Sequence, residues 1–329
     1  MKNNLVTSMT TEQVKKHSEE IIGEVEKAIV GKREVLQILL AAFLSSGGHV
    51  LIEDYPGLAK TLIANSFATA LGLNFKRIQF TPDLMPGDIT GGYIFDSNQS
   101  KFILRKGPIF TNILLADEIN RASPKTQSAL LEAMQEHQVT LEGETLDLPA
   151  PFIVVATQNP IEYEGTFPLP EAQLDRFLVK LQIGYPKPEE EQEILGRRMQ
   201  RKADEFTLNA VVTPQTFTAM QQVLEDVYVH PDVGRYVVDL TTKTRHHRQI
   251  VIGASPRGSL ALLKLIRAWA AIQGRDYVLP DDVKRFAQEA LCHRIILEPN
   301  LWGSKTTPNT VITEIVNSVA VPVIPFEHE

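Results

Sequence analysis

Apolar and polar positions along the chain switch between two periods, and the switches mark the predicted elements. Val14, Ile21, Ile22, Val25 and Ile29 fall at helical spacing, which predicts an amphipathic helix over 11–30 capped by Thr10 or Thr11. A second helix is predicted over about 33–45, stopped by Gly47-Gly48. Three short apolar runs, "HVLIE" (49–53), "NILLAD" (112–117) and "FIVVAT" (152–157), suit strands covered on both faces. "NFKRIQF" (74–80) and "FLVKLQI" (177–183) read as two more. Helical sequence separates these strands, as in "LIANSFATALG" up to Gly72. Such alternation predicts a parallel sheet in three layers, with ligands at the carboxyl ends of the strands.

Two stretches break the alternation. Residues 81–112 carry Pro82, Pro86, Gly87, Gly91, Gly92 and Gly107, and "GGYIFD" and "KFILRK" form a predicted hairpin around "SNQS". "HQVTLEGETLDLPA" (137–150) alternates around Gly143 and predicts another hairpin. The polar, helix-prone "YPKPEEEQEILGRRMQRKADEF" reads as a linker, and residues 213–329 read as helical without a clear strand.

Composition narrows the class. The 329 residues allow one large domain or two ordinary ones, and 43% hydrophobic with 22% charged residues supplies a core. A formal net charge of −7 argues against a general nucleic-acid binder. The single cysteine, Cys292, excludes an intramolecular disulfide, fits a reducing compartment and falls in a helix-like run where a thiol is expected to be buried. The first twenty residues lack an apolar signal region, and runs such as "ILLAAFL" are far short of a membrane span. A cytoplasmic chain is the expectation, with no membrane insertion.

Candidate chemistry begins at "EDYPGLAKT" (53–61). Backbone N–H groups wrapped around phosphate oxygens at a helix start favour anions, a lysine adds a point charge, and the next hydroxyl suits magnesium. Asp54, Tyr55, Pro56, Gly57, Leu58, Ala59, Lys60, Thr61 and Leu62 are the candidate cradle. Asp54 and Ala59 stand where the common pattern has glycines, and Ala59 suffices provided its backbone need not take positive φ. Alone, the motif also fits an ordinary strand-to-helix turn with a capping aspartate. Asp117-Glu118 at the end of an apolar strand changes the balance, because buried acids call for a cation. A magnesium–phosphate complex answers that need, with Asp117 at the metal and Glu118 orienting the attacking water. Asn159 ends a neighbouring strand as a neutral water-positioning amide. Arg176, on the last turn of the helix opened by Pro170, is placed at a subunit edge to serve a neighbour's phosphates; a salt bridge to Asp175 or Glu171 is the alternative. Arg257 opposes the dipole of its helix start, which suggests an anion nearby and makes it a candidate γ-phosphate contact. His246-His247, flanked by Arg245 and Arg248, lack a second pair at metal spacing and read as a solvated or interface patch.

Together, "EDYPGLAKT", "QFTPDLMPGDITG", "GPIFTNILLADEINRASPKTQSALLEAMQE", "VATQNPIEYEGTFPLPEAQLDRF" and "GASPRGSLALLKLIRAWA" resemble, in order, the blocks of AAA+ ATPases of the MoxR family over about residues 20–300. The resemblance implies an α/β fold: a P-loop three-layer parallel-sheet core followed by an all-α lid. It places the core at 1–185, with an insert in the second helix at about 81–112 and a hairpin before sensor 1 at about 137–150. A linker at 186–208 and a lid at 209–329 follow. It implies ATP and Mg2+ as cofactors and assembly into a homo-oligomeric ring, usually of six. By position, Lys60, Thr61, Asp117 and Glu118 match the Walker groups, Thr61 with both acids holding magnesium partly through water. Asn159 matches sensor 1, Arg176 the arginine finger and Arg257 sensor 2, the last acting on either its own or a neighbour's nucleotide. Ile29, Val30 and Gly31 match the adenine-pocket segment. Arg121 is either another contact across subunits or a packing residue. The family is similar to remodelling factors that act on separate von Willebrand factor A proteins.

Other classes fit less well. A small-molecule kinase would not need Asn159, Arg176 and Arg257 in that order. A nucleic-acid translocase should carry cations on its hairpins, whereas "LEGETLDLP" has Glu142, Glu144 and Asp147 and no cation. A magnesium-chelatase-type ATPase subunit is scarcely separable by sequence.

Overall fold

The computed structural model describes residues 9–160, 165–301 and 305–324. The start of the chain that bears on a signal region, part of the "VATQNPIEYEG" block, and the end of the C-terminal segment lie outside these residues. The first helix, α1 (Thr11–Val25), is held at its start by a reciprocal pair: Gln13 N donates to Thr10 Oγ1 at 3.3 Å, and Thr10 N to Gln13 Oε1 at 2.9 Å. It stops short of residue 30, because residues 26–28 form a turn and 29–30 run on without regular structure, while Ala28, Ile29 and Val30 still bury. Next come α2 (Arg33–Leu44), strand β1 (Val50–Glu53), α3 (Lys60–Ala70) and β2 (Phe75–Gln79). A short α4 (Pro86–Thr90) leads into the hairpin β3 (Gly91–Asp96) and β4 (Lys101–Lys106), then β5 (Ile113–Asp117) and α5 (Pro124–Glu136). The second hairpin, β6 (Gln138–Leu141) and β7 (Glu144–Asp147), precedes β8 (Ile153–Gln158), α6 (Glu171–Leu174) and β9 (Val179–Leu181).

β1, β2, β5, β8 and β9 pair in parallel in the order β2-β5-β8-β1-β9. Successive side chains on a strand face opposite ways, and the core divides accordingly. Val50, Ile52, Ile113, Leu115, Ile153 and Val155 join one buried cluster; Leu51, Leu114, Ala116, Val154 and Ala156 join the other. Both faces are therefore covered, which is why the runs are continuously apolar.

The segment read as a linker is mostly a helix, α7 (Pro188–Arg201), with no buried residue of its own. It lies against the chain near residues 26–32: Arg197 Nη1 donates to Glu26 O at 2.6 Å, and Lys32 Nζ to Tyr185 O at 2.9 Å. Beyond it are α8 (Pro214–Val223), α9 (Pro231–Arg245), α10 (Pro256–Ile272), α11 (Pro280–Leu291) and α12 (Pro308–Ser318). This helical region also holds an antiparallel ribbon of β10 (Ile250–Ile252) and β11 (Ile296–Leu297), a correction to the reading without strands. Two or three residues are too few to print a period of two. Cys292 is partly buried, and burial pushes its thiol up to about 12, so it is inert. His247 lies 3.8 Å from Glu314 rather than in a metal cluster.

One buried group ties the sheet to its neighbouring helix. His49 Nδ1 accepts from Val154 N at 3.0 Å, and Nε2 donates to Met134 O at 2.9 Å, which fixes a neutral tautomer. Burial lowers its pKa to about 4, with His137 and Lys264 adding to the effect. The unfolded chain takes up this proton from about pH 6.5 downward and the folded chain does not. Stability is therefore complete above about 6.5 and falls as pH drops towards 4, by roughly 3 kcal/mol over the window. Urea unfolding from pH 4.5 to 7 should show a shallower pH slope in His49→Gln than in wild type; equal slopes would place the titration elsewhere.

Candidate active site

The cradle leaves the carboxyl end of β1, the second strand from the β9 edge of the sheet, and runs into α3. Gly57 has φ 82°, which its missing side chain permits, and Ala59 has φ 55° and ψ 20°. The expectation that Ala59 avoids positive φ is thus overturned. A left-handed alanine costs about 1–2 kcal/mol. It is held there by the helix it opens, because Ile63 N donates to Ala59 O at 2.9 Å. Pro56, Gly57, Leu58, Ala59, Lys60, Thr61 and Leu62 line a cleft of about 440 Å³ with Arg77, Gln79, Asp117, Glu118 and Asn159. Seven candidate cradle positions, both acids and Asn159 therefore meet in one place.

Two cradle candidates point elsewhere. The buried Asp54 carboxylate accepts from Ile183 N and Gly184 N, both at 2.7 Å, and from Tyr55 N at 2.9 Å. It anchors the loop to the chain just past the end of β9. The Tyr55 ring stacks on Tyr185 with centroids 5.9 Å apart. Ile29 and Val30 are buried, and Gly31, at φ 72°, lies under Glu190, whose Cδ would stand 2.2 Å from a Cβ there. None of these three lines the cleft.

Lys60 Nζ donates to Asp54 O at 2.6 Å and Tyr55 O at 3.0 Å, so the ammonium is poised over the loop. Desolvation lowers its pKa, against the attraction of Asp54, Asp117 and Glu118. Asp117 Oδ1 accepts from Thr157 Oγ1 at 2.6 Å, and Oδ2 from Arg77 Nη2 at 2.7 Å. Glu118 Oε2 accepts from Gln79 Nε2 at 2.7 Å and Arg121 Nη1 at 3.0 Å, while Glu118 N donates to Thr157 Oγ1 at 2.8 Å. The cations beside the acid pair here are therefore the chain's own Arg77 and Arg121. Arg121 is engaged within its own subunit. Sequence reasoning missed Arg77, Gln79 and Thr157. The signal for the first two was the period of two on β2, which puts both on one face beside Asp117, since Gln79 pairs with Asp117 in the sheet.

Thr61, at the first turn of α3, and Asp117 offer hydroxyl and carboxylate oxygen, a donor set that suits magnesium. Among the described residues no cluster of three or more His, Cys, Asp and Glu could hold a metal by protein ligands alone.

Arg176 and Arg257 are not in this cleft. Both line a second cavity of about 520 Å³ with Ser45, Gly47, Asp175 and Arg294. Leu178 N donates to His49 O at 2.8 Å, and Val179 pairs with Val50, so Arg176 lies beyond the amino end of β9. The cradle lies at the carboxyl end of the adjacent β1, about 13 Å of strand away. Neither form of the alternative reading, a salt bridge of Arg176 to Asp175 or to Glu171, is present; Asp175 is held instead by Arg294 at 2.8 Å. The anion near Arg257 within the chain is also Asp175, at 3.9 Å.

Comparison with known proteins agrees with this geometry. A family model described as "ATPase family associated with various cellular activities (AAA)" matches residues 49–179, and one described as "AAA lid domain" matches 242–324. The YeaC protein of Bacillus subtilis is 47% identical over 303 residues, covering 92% of this chain and 94% of the relative. Chaperone MoxR1 of Mycobacterium tuberculosis is 43% identical over 313 residues, covering 92% and 82%. A crystal structure from Cytophaga hutchinsonii superposes with a TM-score of 0.89 at 38% identity, covering 95% and 97%. A phosphate cradle facing an acid pair, an AAA core joined to an AAA lid, and this likeness along nearly the whole length have one reading: the chain belongs to the MoxR family of AAA ATPases and hydrolyses ATP.

Proposed function

We propose that this ATPase works as a homo-oligomeric ring of six. Each nucleotide lies between the cradle of one subunit and Arg176 of the next, and turnover remodels a separate protein partner of von Willebrand factor A type. The observation that carries the reading is the separation of Arg176 and Arg257 from Lys60 by the length of a strand. A cation that never reaches its own phosphates serves catalysis only from a neighbouring copy. Lys60 binds the outer phosphates and Thr61 and Asp117 hold Mg2+, which when bound neutralises phosphate charge. Glu118 orients and deprotonates the attacking water, and Asn159 positions it. Ile29, Val30 and Gly31 back the adenine from behind Glu190, with Tyr55 and Asp54 shaping the loop. Arg257 assists Arg176 from the same cavity.

Chaperone activity is the reading suggested by the name of the Mycobacterium tuberculosis relative. The β6–β7 hairpin carries Glu142, Glu144 and Asp147, and Glu144 accepts from the Tyr93 hydroxyl of the β3–β4 hairpin. The acidic β6–β7 loop disfavours nucleic acid, although the β3–β4 hairpin carries Lys101, Arg105 and Lys106. Among the described residues no helix is long and apolar enough to cross a membrane, and the site of action we propose is the cytoplasm. Hydrolysis per subunit, measured against protein concentration alongside sedimentation, should rise as the ring assembles. A monomer working at the full rate would refute the interface site.

A further inference from the structure

Beside Arg176 lies a cluster that ATP chemistry at the cradle does not use. Arg294, in the lid, is 3% exposed at its side chain and spreads its guanidinium over the backbone around Arg176. Its Nε donates to Asp175 Oδ1 at 2.8 Å, and Nη2 to Asp175 O at 3.3 Å and Phe177 O at 2.7 Å. Nη1 reaches Leu178 O at 3.2 Å and, inside the lid, Ala290 O, with His293 Nε2 at 2.7 Å. The other Asp175 oxygen accepts from Ser255 Oγ at 3.1 Å and faces Arg257 Nη1 at 3.9 Å. Lid groups thus hold both neighbours of Arg176. The Arg176 side chain itself takes part in none of these bonds, and its Nε is buried without a partner.

The arrangement is more specific than adhesion between two domains requires. Burying an arginine is costly unless its donors are met, and a planar fork meets several acceptors at once. Here those acceptors are one carboxylate and the carbonyls of residues 175, 177 and 178, which set the direction of the chain at 176. Gly258 allows the close approach: a Cβ there would stand 3.1 Å from Leu291 Cδ2 and 3.4 Å from Arg294 Cδ.

We propose that Arg294 is a positioning residue that acts through Asp175: it fixes the aim of Arg176 to the placement of the lid, so that the lid of one subunit governs catalysis in the next. The inference rests on Arg176 acting between subunits. A lid displaced by a nucleotide or a partner carries Arg294 with it, and the finger loses its direction.

Mixed rings separate this role from a merely structural one. Lys60→Ala subunits donate an intact Arg176, and Arg176→Ala subunits receive it with an intact cradle. Arg294→Lys keeps the charge but not the fork. Placed on the donor, it should lower the recovered kcat by about tenfold or more, with the ATP KM of the recipient unchanged, since small misplacements of a catalytic group are costly. Placed on the recipient, it should lower recovery by no more than about twofold, because that subunit's own finger is already missing. Equal losses from both placements, or none from either, would overturn the proposal. Asp175→Asn, which keeps an oxygen for Arg294 Nε and loses the charge, gives the same comparison if Arg294→Lys fails to fold. Lack of recovery with Arg294 intact would instead strike the reading of Arg176 itself, and the clamp with it.

Discussion

Glu118→Gln should bind ATP and fail to turn it over. Glu118 sits at φ 55°, just past the end of β5, with its backbone N–H on Thr157 and one carboxylate oxygen on Gln79 and Arg121. An amide of the same size still accepts these bonds but cannot take a proton from water. General-base catalysis contributes about 10²–10⁴-fold, so kcat should fall by that factor while the ATP dissociation constant stays within a few-fold. Equilibrium binding and single-turnover hydrolysis check the two halves separately. Turnover within threefold of wild type would place the base elsewhere. The ATP-loaded variant is also the state in which a purified von Willebrand factor A domain should co-sediment with the ring. Retention of single-stranded DNA in its place would favour a translocase.

Lys60→Ala should cost at least 100-fold in ATP affinity. The ammonium stands over the two loop carbonyls at 2.6 and 3.0 Å, within a short side-chain swing of an anion bound by the cradle N–H groups. Hydrogen bonds to charged groups contribute about 1.5–3 kcal/mol each, and two of them account for that loss. The fold should survive, since Asp54 goes on holding the loop to Ile183 and Gly184. Calorimetric titration with a parallel thermal melt reads both effects. Wild-type affinity in a folded variant would remove the cradle from the account.

Three strands of the main sheet, β1, β5 and β8, were legible because both their faces are buried, which leaves a continuous apolar run that no amphipathic helix produces. The two hairpins were legible from Gly91, Gly92 and Gly143 beside alternating residues. Strand order was not, because a run such as "NFKRIQF" does not say which strand it pairs with. That gap concealed Arg77 and Gln79, which matter only because β2 lies next to β5. Asp54 was read as a cradle residue from its place in a motif, and only the position of Ile183 and Gly184 shows where its carboxylate goes. Ala59 defeated a rule about side chains and positive φ, since the helix that follows it compensates the local strain. Arg257 was read from its helix start as lying near an anion, and within the chain it faces Asp175 at 3.9 Å, a neighbour 82 positions away that no local pattern shows. Contacts between residues some 120 positions apart, such as Arg294 with Asp175, leave no mark on local periodicity.

Whether catalysis belongs to pairs of subunits is decided by mixing Arg176→Ala with Lys60→Ala protein. Each alone should be nearly inactive, the first by about 10³–10⁵-fold for want of a finger and the second for want of nucleotide. In a head-to-tail ring assembled at random from equal amounts, roughly a quarter of interfaces join an intact cradle to an intact finger. The account predicts that ATPase activity returns on mixing to about that fraction of wild type. Activity no higher than the sum of the two variants, in rings shown by native mass spectrometry to be mixed, would contradict it.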